Sequence, residues 1–270
     1  MMGRDRGTSM GMDKHDRTGL AITPVTREYL ETIYNLTVEG DPVVGARLAE
    51  KFGVSAPNVA EVLRRMERHG LIRMPGRGRG RQGEGIELTP EGRAQAEALL
   101  RQHRLAERFL ADVLGMDWVQ AHEEAHHLER GMSPAIEERL FTLLGNPRTC
   151  PHGNPIPGPK LDPINYLREQ HAIRLVSAPP GVPMKVVLIS EVVEDESALL
   201  NYLGQMQIMP GAVVTVLERD DAQDQDTIAV RVTPRSVAGD GESPPGQGQG
   251  QTVSLDKGLA AKIWVREAGR

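Results

Sequence analysis

Histidine and glutamate side chains recur at helical spacing in the middle of the chain. His103 and Glu107 are four residues apart, and His122, His126 and Glu129 follow at intervals of four and three. On a helix these intervals place side chains on one face, so two neighbouring helices would present nitrogen and oxygen donors to each other. Such donors are what a divalent metal site needs. The alternative is a solvated histidine-rich helix, since one His-xxx-His pair discriminates poorly.

Length and composition limit the class of protein. The chain has 270 residues, which is enough for one to three domains with real cores. It contains no apolar run of the roughly 18 residues that a membrane span needs, and no secretory signal at its start. Its single cysteine, Cys150, excludes an internal disulfide and fits a reducing compartment. We therefore expect a cytoplasmic protein without a membrane partner.

A helix-turn-helix pattern precedes the histidines. A short helix (Gly45–Phe52) is followed by a turn at Gly53 and by a second helix that Ser55 would cap. Two short strands, 71–74 and 85–88, flank the glycine-arginine sequence PGRGRGRQGE. This order predicts a winged helix whose second helix enters the major groove of DNA. The alternative is a helical pair with a solvated basic loop.

Polar and arginine side chains of the winged helix would contact DNA. Pro57 could meet a thymine methyl group and Asn58 an adenine, while Ser55 could cap the helix, read a base, or do both. Arginines on the helices would contact phosphates, and those of the glycine-arginine hairpin would contact phosphates or enter the minor groove. The predicted DNA-contacting residues are Arg47, Ser55, Pro57, Asn58, Arg64, Arg77, Arg79 and Arg81.

Five motifs occur in a fixed order along the chain: EYLETIYNL, ARLAEKFGVSAPNVAEVLRRMERHGLI, LTPEGRAQAEALLRQHRLAERFL, HEEAHHLE and GNPIPG. Through them the chain resembles the diphtheria-toxin-repressor family of metal-dependent transcriptional regulators, which includes a manganese-responsive branch. The resemblance covers about positions 24 to 266. It implies a homodimer that binds a palindromic operator, as one dimer or two, only when a divalent metal is present.

The expected fold class is mainly α with a small β part. Thr23, Thr89 and Ser133 are each followed by proline, which predicts a capped helix start at each of them. These helices and several short alternating strands agree with the resemblance on an N-terminal winged helix, a helical dimerisation domain and a C-terminal SH3-like β-barrel. The expected divisions are a disordered leader (1–22), a winged helix-turn-helix domain (23–92), a helical metal-binding and dimerisation domain (93–150), a Pro/Gly-rich linker (151–183) and an SH3-like domain (184–268).

The resemblance also implies two metal sites. The first contains His103, Glu107 and His122, assisted by an acid from the C-terminal domain, for which Glu196 is our candidate. The second contains Glu28, His126 and Glu129, with Glu31 on the same helix as Glu28 as a further candidate. Arg130 stands where the family usually has another histidine, and an arginine cannot ligate a metal because it stays protonated. The second site is therefore one ligand short, or His127, Glu31 or water fills the gap.

The ligand types narrow the metal. Imidazole and carboxylate ligands without a thiolate suit Mn(II) or Fe(II). Carboxylates at Glu28 and Glu31 match the manganese-responsive branch, so Mn(II) is favoured and Fe(II) is the alternative. Cys150 and His152 lack the remaining ligands of a tetrahedral site, so we expect them to begin a structured linker, with a metal role left open.

Two other functions compete with a metal-dependent repressor. One is a winged-helix regulator that responds to something other than metal, with the histidines on the surface. The other is a metal-dependent hydrolase, which would need an open coordination position in a cleft and a general base. We do not expect an enzyme, because the predicted ligands bridge domains rather than line a cleft.

Overall fold

The computed structural model describes residues 22–74, 85–158, 161–217, 226–233 and 250–269. The predicted DNA contacts Arg77, Arg79 and Arg81 lie outside these residues, and so does the expected leader apart from its last residue.

The N-terminal part is a winged helix-turn-helix in its described elements. They are α1 (Pro24–Val38), α2 (Gly45–Phe52), α3 (Ala56–Arg68), β1 (Ile72–Arg73) and β2 (Glu87–Leu88). The two strands pair antiparallel. Gly53 has φ +60° and ends α2, a left-handed conformation that glycine adopts without strain. Leu48, Val59 and Met66 join α1 in one buried core, which fixes α3 against the rest of the unit.

Three helices form the middle of the chain. They are α4 (Pro90–Asp112), α5 (Trp118–Leu128) and α6 (Pro134–Leu143), with a 3-10 turn (Glu129–Gly131) after α5. The Thr89 hydroxyl accepts from the Gly92 amide and the Ser133 hydroxyl from the Ile136 amide. Both are the side-chain caps that the sequence predicted.

A six-stranded antiparallel sheet forms the C-terminal part, with strand order β3-β8-β4-β5-β6-β7. The elements are α7 (Pro163–Glu169), β3 (Ile173–Arg174), β4 (Pro183–Ile189), α8 (Glu196–Gln205), β5 (Val213–Val216), β6 (Thr227–Thr233), β7 (Gln251–Asp256), α9 (Lys257–Ala260) and β8 (Ile263–Glu267). The expected class, mainly α with a small SH3-like β part, is confirmed.

The C-terminal part packs tightly against the two units before it. Trp118 at the start of α5 is buried in the C-terminal core. Val192, from the loop after β4, is buried in the core of the winged helix. Burying one side chain in the core of another unit makes relative movement costly, because each apolar side chain would lose its packing. The loop after β4 is thereby held against the winged helix.

The described residues of the segment 151–183 contain more regular structure than a Pro/Gly-rich linker would. It contains α7 and β3, and Asn154 and Ile156 are buried. The Ile189 amide donates to the His152 carbonyl (2.9 Å), and Asn154 Nδ2 donates to the Ile189 carbonyl (3.0 Å). The start of the segment therefore lies along β4, whereas the domain bounds remain a prediction. Among the helices of the described ranges, none is long and apolar enough to cross a membrane.

Candidate metal centre

Glu107 lies at the centre of a buried group of imidazoles. Its Oε1 atom accepts hydrogen bonds from His103 Nε2 (3.1 Å) and His122 Nδ1 (3.0 Å), and it lies 3.2 Å from His152 Nδ1. The residue is fully buried, and its Oε2 atom has no hydrogen-bond partner among the described residues. An unpaired buried carboxylate oxygen is costly. The group is thus arranged as a ligand set for a cation.

Small side chains let the two ligand-bearing helices approach each other. Ala106 on α4 and Ala121 and Ala125 on α5 are fully buried in one shared cluster. Because these residues add little volume at the contact, the faces that carry His103 and His122 come together. Their ring centroids are 5.4 Å apart. The helical spacing of the histidines predicted that α4 and α5 face each other, and the structure shows this contact.

A third element completes the group, and the sequence offered only a weak signal for it. The segment after α6 brings Cys150 Sγ to 3.8 Å from His152 Nδ1. His152 Nε2 donates to the Trp118 carbonyl (3.2 Å), which leaves Nδ1 facing Glu107. A hydrogen bond on the outer ring nitrogen is how metal-ligating histidines are usually oriented. Both residues are buried, so they belong to the centre and not only to a linker.

Two groups of three residues each offer ligand atoms within 4.8 Å of one another: His103 with His122 and His126, and Glu107 with Cys150 and His152. Together they supply imidazole nitrogen, carboxylate oxygen and thiol sulfur, all of which bind divalent transition metals. The donor set and the unpaired Glu107 oxygen therefore fit a metal ion. Cys150, whose metal role the sequence left open, reaches the centre from a distant segment and adds a sulfur to the candidate ligands.

Strong charge coupling holds the centre together without an ion. Burial lowers the pKa of His103, but Glu107 and Glu129 outweigh it and hold that pKa well above its ordinary value. Burial likewise opposes the charge on His122, yet Glu196 and Glu107 raise its pKa to about 9. Burial raises the pKa of Glu107, but His152 and His103 lower it well below its usual range. The metal-free centre is therefore a network of imidazolium and carboxylate ions.

A cavity of about 820 Å³ opens beside these ligands. Its walls carry predicted ligands from several helices: Glu28 and Glu31 from α1, His103, His122 and His126 from α4 and α5, and Glu196 from α8. Glu196 Oε2, from the C-terminal part, lies 3.8 Å from His122 Nε2, so the predicted assisting acid is adjacent to the first group of ligands. Burial raises the pKa of Glu31 to about 7. The ligands thus both bridge domains and line a cleft, contrary to the expectation that they only bridge.

The second expected site is not assembled in the same way. Glu129 is buried, and its Oε1 atom accepts from Arg27 Nη1 (2.6 Å) while its Oε2 atom accepts from His103 Nδ1 (2.8 Å). His126 Nδ1 is 3.9 Å from Glu129, and its side chain is half exposed. Glu28 is exposed and belongs to neither group of close ligand atoms. The structure therefore brings only part of this site together.

A buried arginine braces the centre from the other side. Arg104 follows His103 on α4 and donates to Asn35 Oδ1 (2.8 Å), Glu191 Oε2 (2.8 Å) and the Pro155 carbonyl (2.7 Å). These partners come from α1, from the loop after β4 and from the segment after α6. Charge-assisted hydrogen bonds of this kind are the strong ones in proteins. Arg104 thus ties all three parts of the chain together beside the cavity.

The leading end of α3 is open to solvent. Ser55, Pro57 and Asn58 are exposed, and so is Arg64 further along the helix. Ser55 occupies the N-cap position but its side chain makes no capping hydrogen bond. Its predicted role as a cap is therefore wrong in this structure, which leaves the hydroxyl available to a partner.

Arg47 on α2 is held by an acidic neighbour. Its Nη1 atom donates to Asp41 Oδ2 (2.7 Å), and Arg174 Nη2 from β3 lies 2.9 Å from the same oxygen. Arg174 also donates to Glu39 (3.3 Å), and its guanidinium stacks on the Trp264 ring at 4.3 Å. A residue predicted to contact DNA is thus linked to the C-terminal part through one carboxylate.

Three family models match the chain. "Iron dependent repressor, N-terminal DNA binding domain" matches residues 21–78, "Iron dependent repressor, metal binding and dimerisation domain" matches 89–158, and "FeoA domain" matches 173–267. The chain is 42% identical over 201 residues to the iron-dependent repressor IdeR of Mycobacterium leprae, covering 72% of this chain and 84% of that protein. It is 36% identical over 204 residues to the diphtheria toxin repressor of Corynebacterium diphtheriae, covering 74% and 87%.

Solved structures give the same likeness. A manganese-dependent transcriptional repressor in complex with manganese is 30% identical to this chain, with a TM-score of 0.64. The match covers 89% of this chain and 99% of that one. The crystal structure of T. acidophilum IdeR matches with 25% identity and a TM-score of 0.64, covering 92% and 99%.

Proposed function

The chain belongs to the iron-dependent repressor family of metal-dependent transcriptional regulators, and from that premise we propose how its residues couple metal to DNA. A divalent ion is held by Glu107 with His103, His122 and His152. The ion sets the position of the winged helix relative to the paired helical units. Operator binding then depends on ion supply.

One observation carries this proposal: imidazoles from three separate elements converge on one buried carboxylate, that of Glu107. A bound ion would supply the positive charge that holds these ligands together when the imidazoles are neutral. His126, Cys150 and Glu196 complete the proposed ligand shell at its edges. The same elements contact the winged helix through Arg104. A bound ion that fixes the metal centre would therefore also fix the position of the recognition helix α3. Metal and DNA would then strengthen each other's binding by reciprocal coupling.

For the metal we propose Mn(II) first and Fe(II) second. The carboxylates around the cavity favour a hard ion such as Mn(II). The Cys150 thiol beside Glu107 favours a softer ion, and burial raises the pKa of this thiol well above its ordinary value. Carboxylates and imidazoles outnumber this one thiol among the candidate ligands, which keeps Mn(II) ahead.

Self-association follows from an exposed apolar face. Leu143 and Ile136 on α6, with Val113 and Leu114 after α4, are 47% to 66% exposed. No residue of α6 is buried within the single chain. Ile136 and Leu143 are seven residues apart and therefore lie on one face of α6, and exposed apolar side chains grouped in this way mark an interface. We propose that this face forms the dimer, which places two α3 helices on the two halves of a palindromic operator.

The competing functions fit these contacts less well. A surface histidine cluster is the premise of a metal-independent regulator, but His103 and His122 are both only 7% exposed. A hydrolase would find a ligand-lined cavity here. Two observations argue against a hydrolase. The named relatives are repressors, and the central carboxylate of Glu107 is paired with imidazoles instead of being free to act as a general base.

The test measures binding of the purified protein to duplexes that its Mn(II)-loaded form selects from a random-sequence pool. Affinity is then compared for Mn(II), anaerobic Fe(II), Zn(II) and a chelator by fluorescence anisotropy. We expect Mn(II) to raise DNA affinity at least about tenfold over the chelator, the scale of an ordinary coupling between two sites. The His122→Ala variant should lose this stimulation, because it removes one of the converging imidazoles.

The matched control is His127→Ala, which removes an exposed histidine from the same helix. It should keep the Mn(II) response of the unaltered protein. Equal DNA binding with Mn(II) and with chelator, in a protein that is folded and dimeric, would refute the proposal. Turnover of phosphoester or peptide substrates that requires the same metal would favour the hydrolase.

A further inference from the structure

Glu129 is occupied by an arginine from the first helix. Arg27 Nη1 donates to Glu129 Oε1 at 2.6 Å, and the residues are 102 positions apart in sequence. The Glu129 side chain is only 4% exposed and that of Arg27 is 27% exposed. This contact joins α1 to the turn that ends α5. It therefore joins the same two elements that the second metal ion implied by the family would join.

The residues around this contact do not fit a second ion. Both oxygens of Glu129 are already used, by Arg27 and by His103. Burial opposes the charge on Glu129, but its hydrogen bond with His103 and the nearby His126 and Arg27 lower its pKa to about 2. Arg130, in the position of the usual fourth ligand, is exposed and cannot coordinate a metal. An ion at Glu129 would also have to share the space with a guanidinium cation, which repels it.

We propose that Arg27 takes the place of the second metal ion in this chain. Its guanidinium supplies the positive charge that fastens α1 to Glu129, and metal binding is confined to the centre around Glu107. The inference rests on the proposed function, because it assumes that joining α1 to α5 supports DNA binding. The family resemblance implied Glu28, Glu31 and Glu129 as metal ligands. In this proposal Glu129 is the ion-pair partner of Arg27, and Glu28 and Glu31 are acidic neighbours of that pair.

The acidic side chains around Arg27 need a cation among them. Glu28, Glu31 and Glu129 would repel one another if none were present. Burial raises the pKa of Glu31 to about 7, and Arg27 is one of the nearby cations that oppose this rise. A permanent cation therefore relieves this repulsion at every metal concentration. The contact between α1 and Glu129 then forms at every metal concentration, so the ion acts on the winged helix only through the centre at Glu107.

The test counts Mn(II) ions bound per chain by equilibrium dialysis of the full-length protein. Glu28→Gln as a single substitution should leave the number of bound ions unchanged, because Glu28 is not a ligand. The double substitution Arg27→Met with Arg130→His removes the guanidinium and restores a fourth ligand. It should bind one additional Mn(II) per chain, and adding Glu28→Gln to it should remove that gain.

DNA binding provides a second readout. With Mn(II) saturating, Arg27→Met alone should weaken DNA binding about tenfold, the effect of losing one charge-assisted hydrogen bond. Arg27→Lys, which keeps the charge, should recover part of that loss. Arg93→Met is the matched control, because it removes an arginine that pairs with Glu97 and Asp162 and does not touch Glu129. It should change DNA affinity less than about twofold, as expected for an exposed ion pair.

Two results would overturn the inference. One is a loss of one bound Mn(II) when Glu28→Gln is the only substitution. The other is a folded, dimeric Arg27→Met Arg130→His protein that gains no ion. Failure of the proposed function gives a different result: DNA binding would not respond to Mn(II) in the unaltered protein, whereas the ion count would still decide whether Arg27 excludes the second ion.

Discussion

Replacing Gly153 by alanine should both destabilise the protein and weaken its metal centre. Gly153 has φ +87°, and a Cβ atom there would lie 2.0 Å from the Val187 carbonyl oxygen. Real side chains do not approach a carbonyl oxygen so closely, so the segment must move away from β4. His152 precedes Gly153 and would be carried away from Glu107 by the same movement. The substitution therefore tests whether β4 positions the third imidazole.

The size of the effect follows from the contacts. Forcing alanine into a left-handed conformation costs about 1 to 2 kcal/mol. Moving the segment also breaks the hydrogen bonds that join His152 and Asn154 to Ile189, at about 1 kcal/mol each. The free energy of unfolding should thus fall by about 3 to 4 kcal/mol. The Mn(II) dissociation constant should rise at least about tenfold, because one imidazole no longer faces Glu107.

The assay is urea denaturation of the metal-free dimer, together with Mn(II) binding followed by calorimetry. Gly181→Ala is the matched control, because Gly181 has φ +77° but no atom lies within 4 Å of the position that an alanine Cβ would occupy. It should lose only the conformational part, about 1 to 2 kcal/mol, and keep its Mn(II) affinity. If both variants lose the same stability and both bind Mn(II) normally, the packing of this segment against β4 does not hold the ligand.

Three further predictions concern the dimer, pH and DNA. Leu143→Asp should convert the dimer to a monomer in analytical ultracentrifugation, because it places a charge on the exposed apolar face of α6. The pKa of His122 is raised from 6.5 to about 9 in the folded protein, so its stabilising charge is present below pH 6.5 and lost as pH rises through 9. Denaturation of the metal-free protein should show a fall of up to about 3 kcal/mol across that window, whereas a flat profile would contradict the charge network. Asp41→Asn should release Arg47 and strengthen DNA binding about two- to fivefold, the effect of one exposed ion pair. Arg174→Ala should weaken DNA binding, because Asp41 then pairs with Arg47 alone, and this loss should be smaller in the Asp41→Asn background.

Local signals in the sequence predicted the elements well. Threonine or serine followed by proline marked the starts of α1, α4 and α6, and the hydroxyls of Thr23, Thr89 and Ser133 do accept the capping amides. The i, i+4 spacing also placed His103 beside Glu107. These predictions succeed because capping and helical periodicity depend on neighbours within one turn.

Contacts between distant segments were beyond such reasoning. Cys150 and His152 reach Glu107 only because the segment after α6 folds back along β4, which no local pattern encodes. Arg27 meets Glu129 through the packing of α1 on α4. The charge of Arg27 was visible in the sequence, but its partner was not. The cap predicted at Ser55 is a different case. Ser55 does occupy the N-cap position, but its side chain makes no capping hydrogen bond, because the residue type alone does not fix the direction of the hydroxyl.

The position of the bound ion tests the central claim most directly. Crystals of the full-length protein grown with Mn(II) would show that ion by its anomalous scattering. We predict a peak bonded to Glu107 and to imidazoles among His103, His122 and His152, with no second peak at Glu129. Strong anomalous density at Glu28 and Glu129, and none beside Glu107, would contradict both the metal centre and the role given to Arg27.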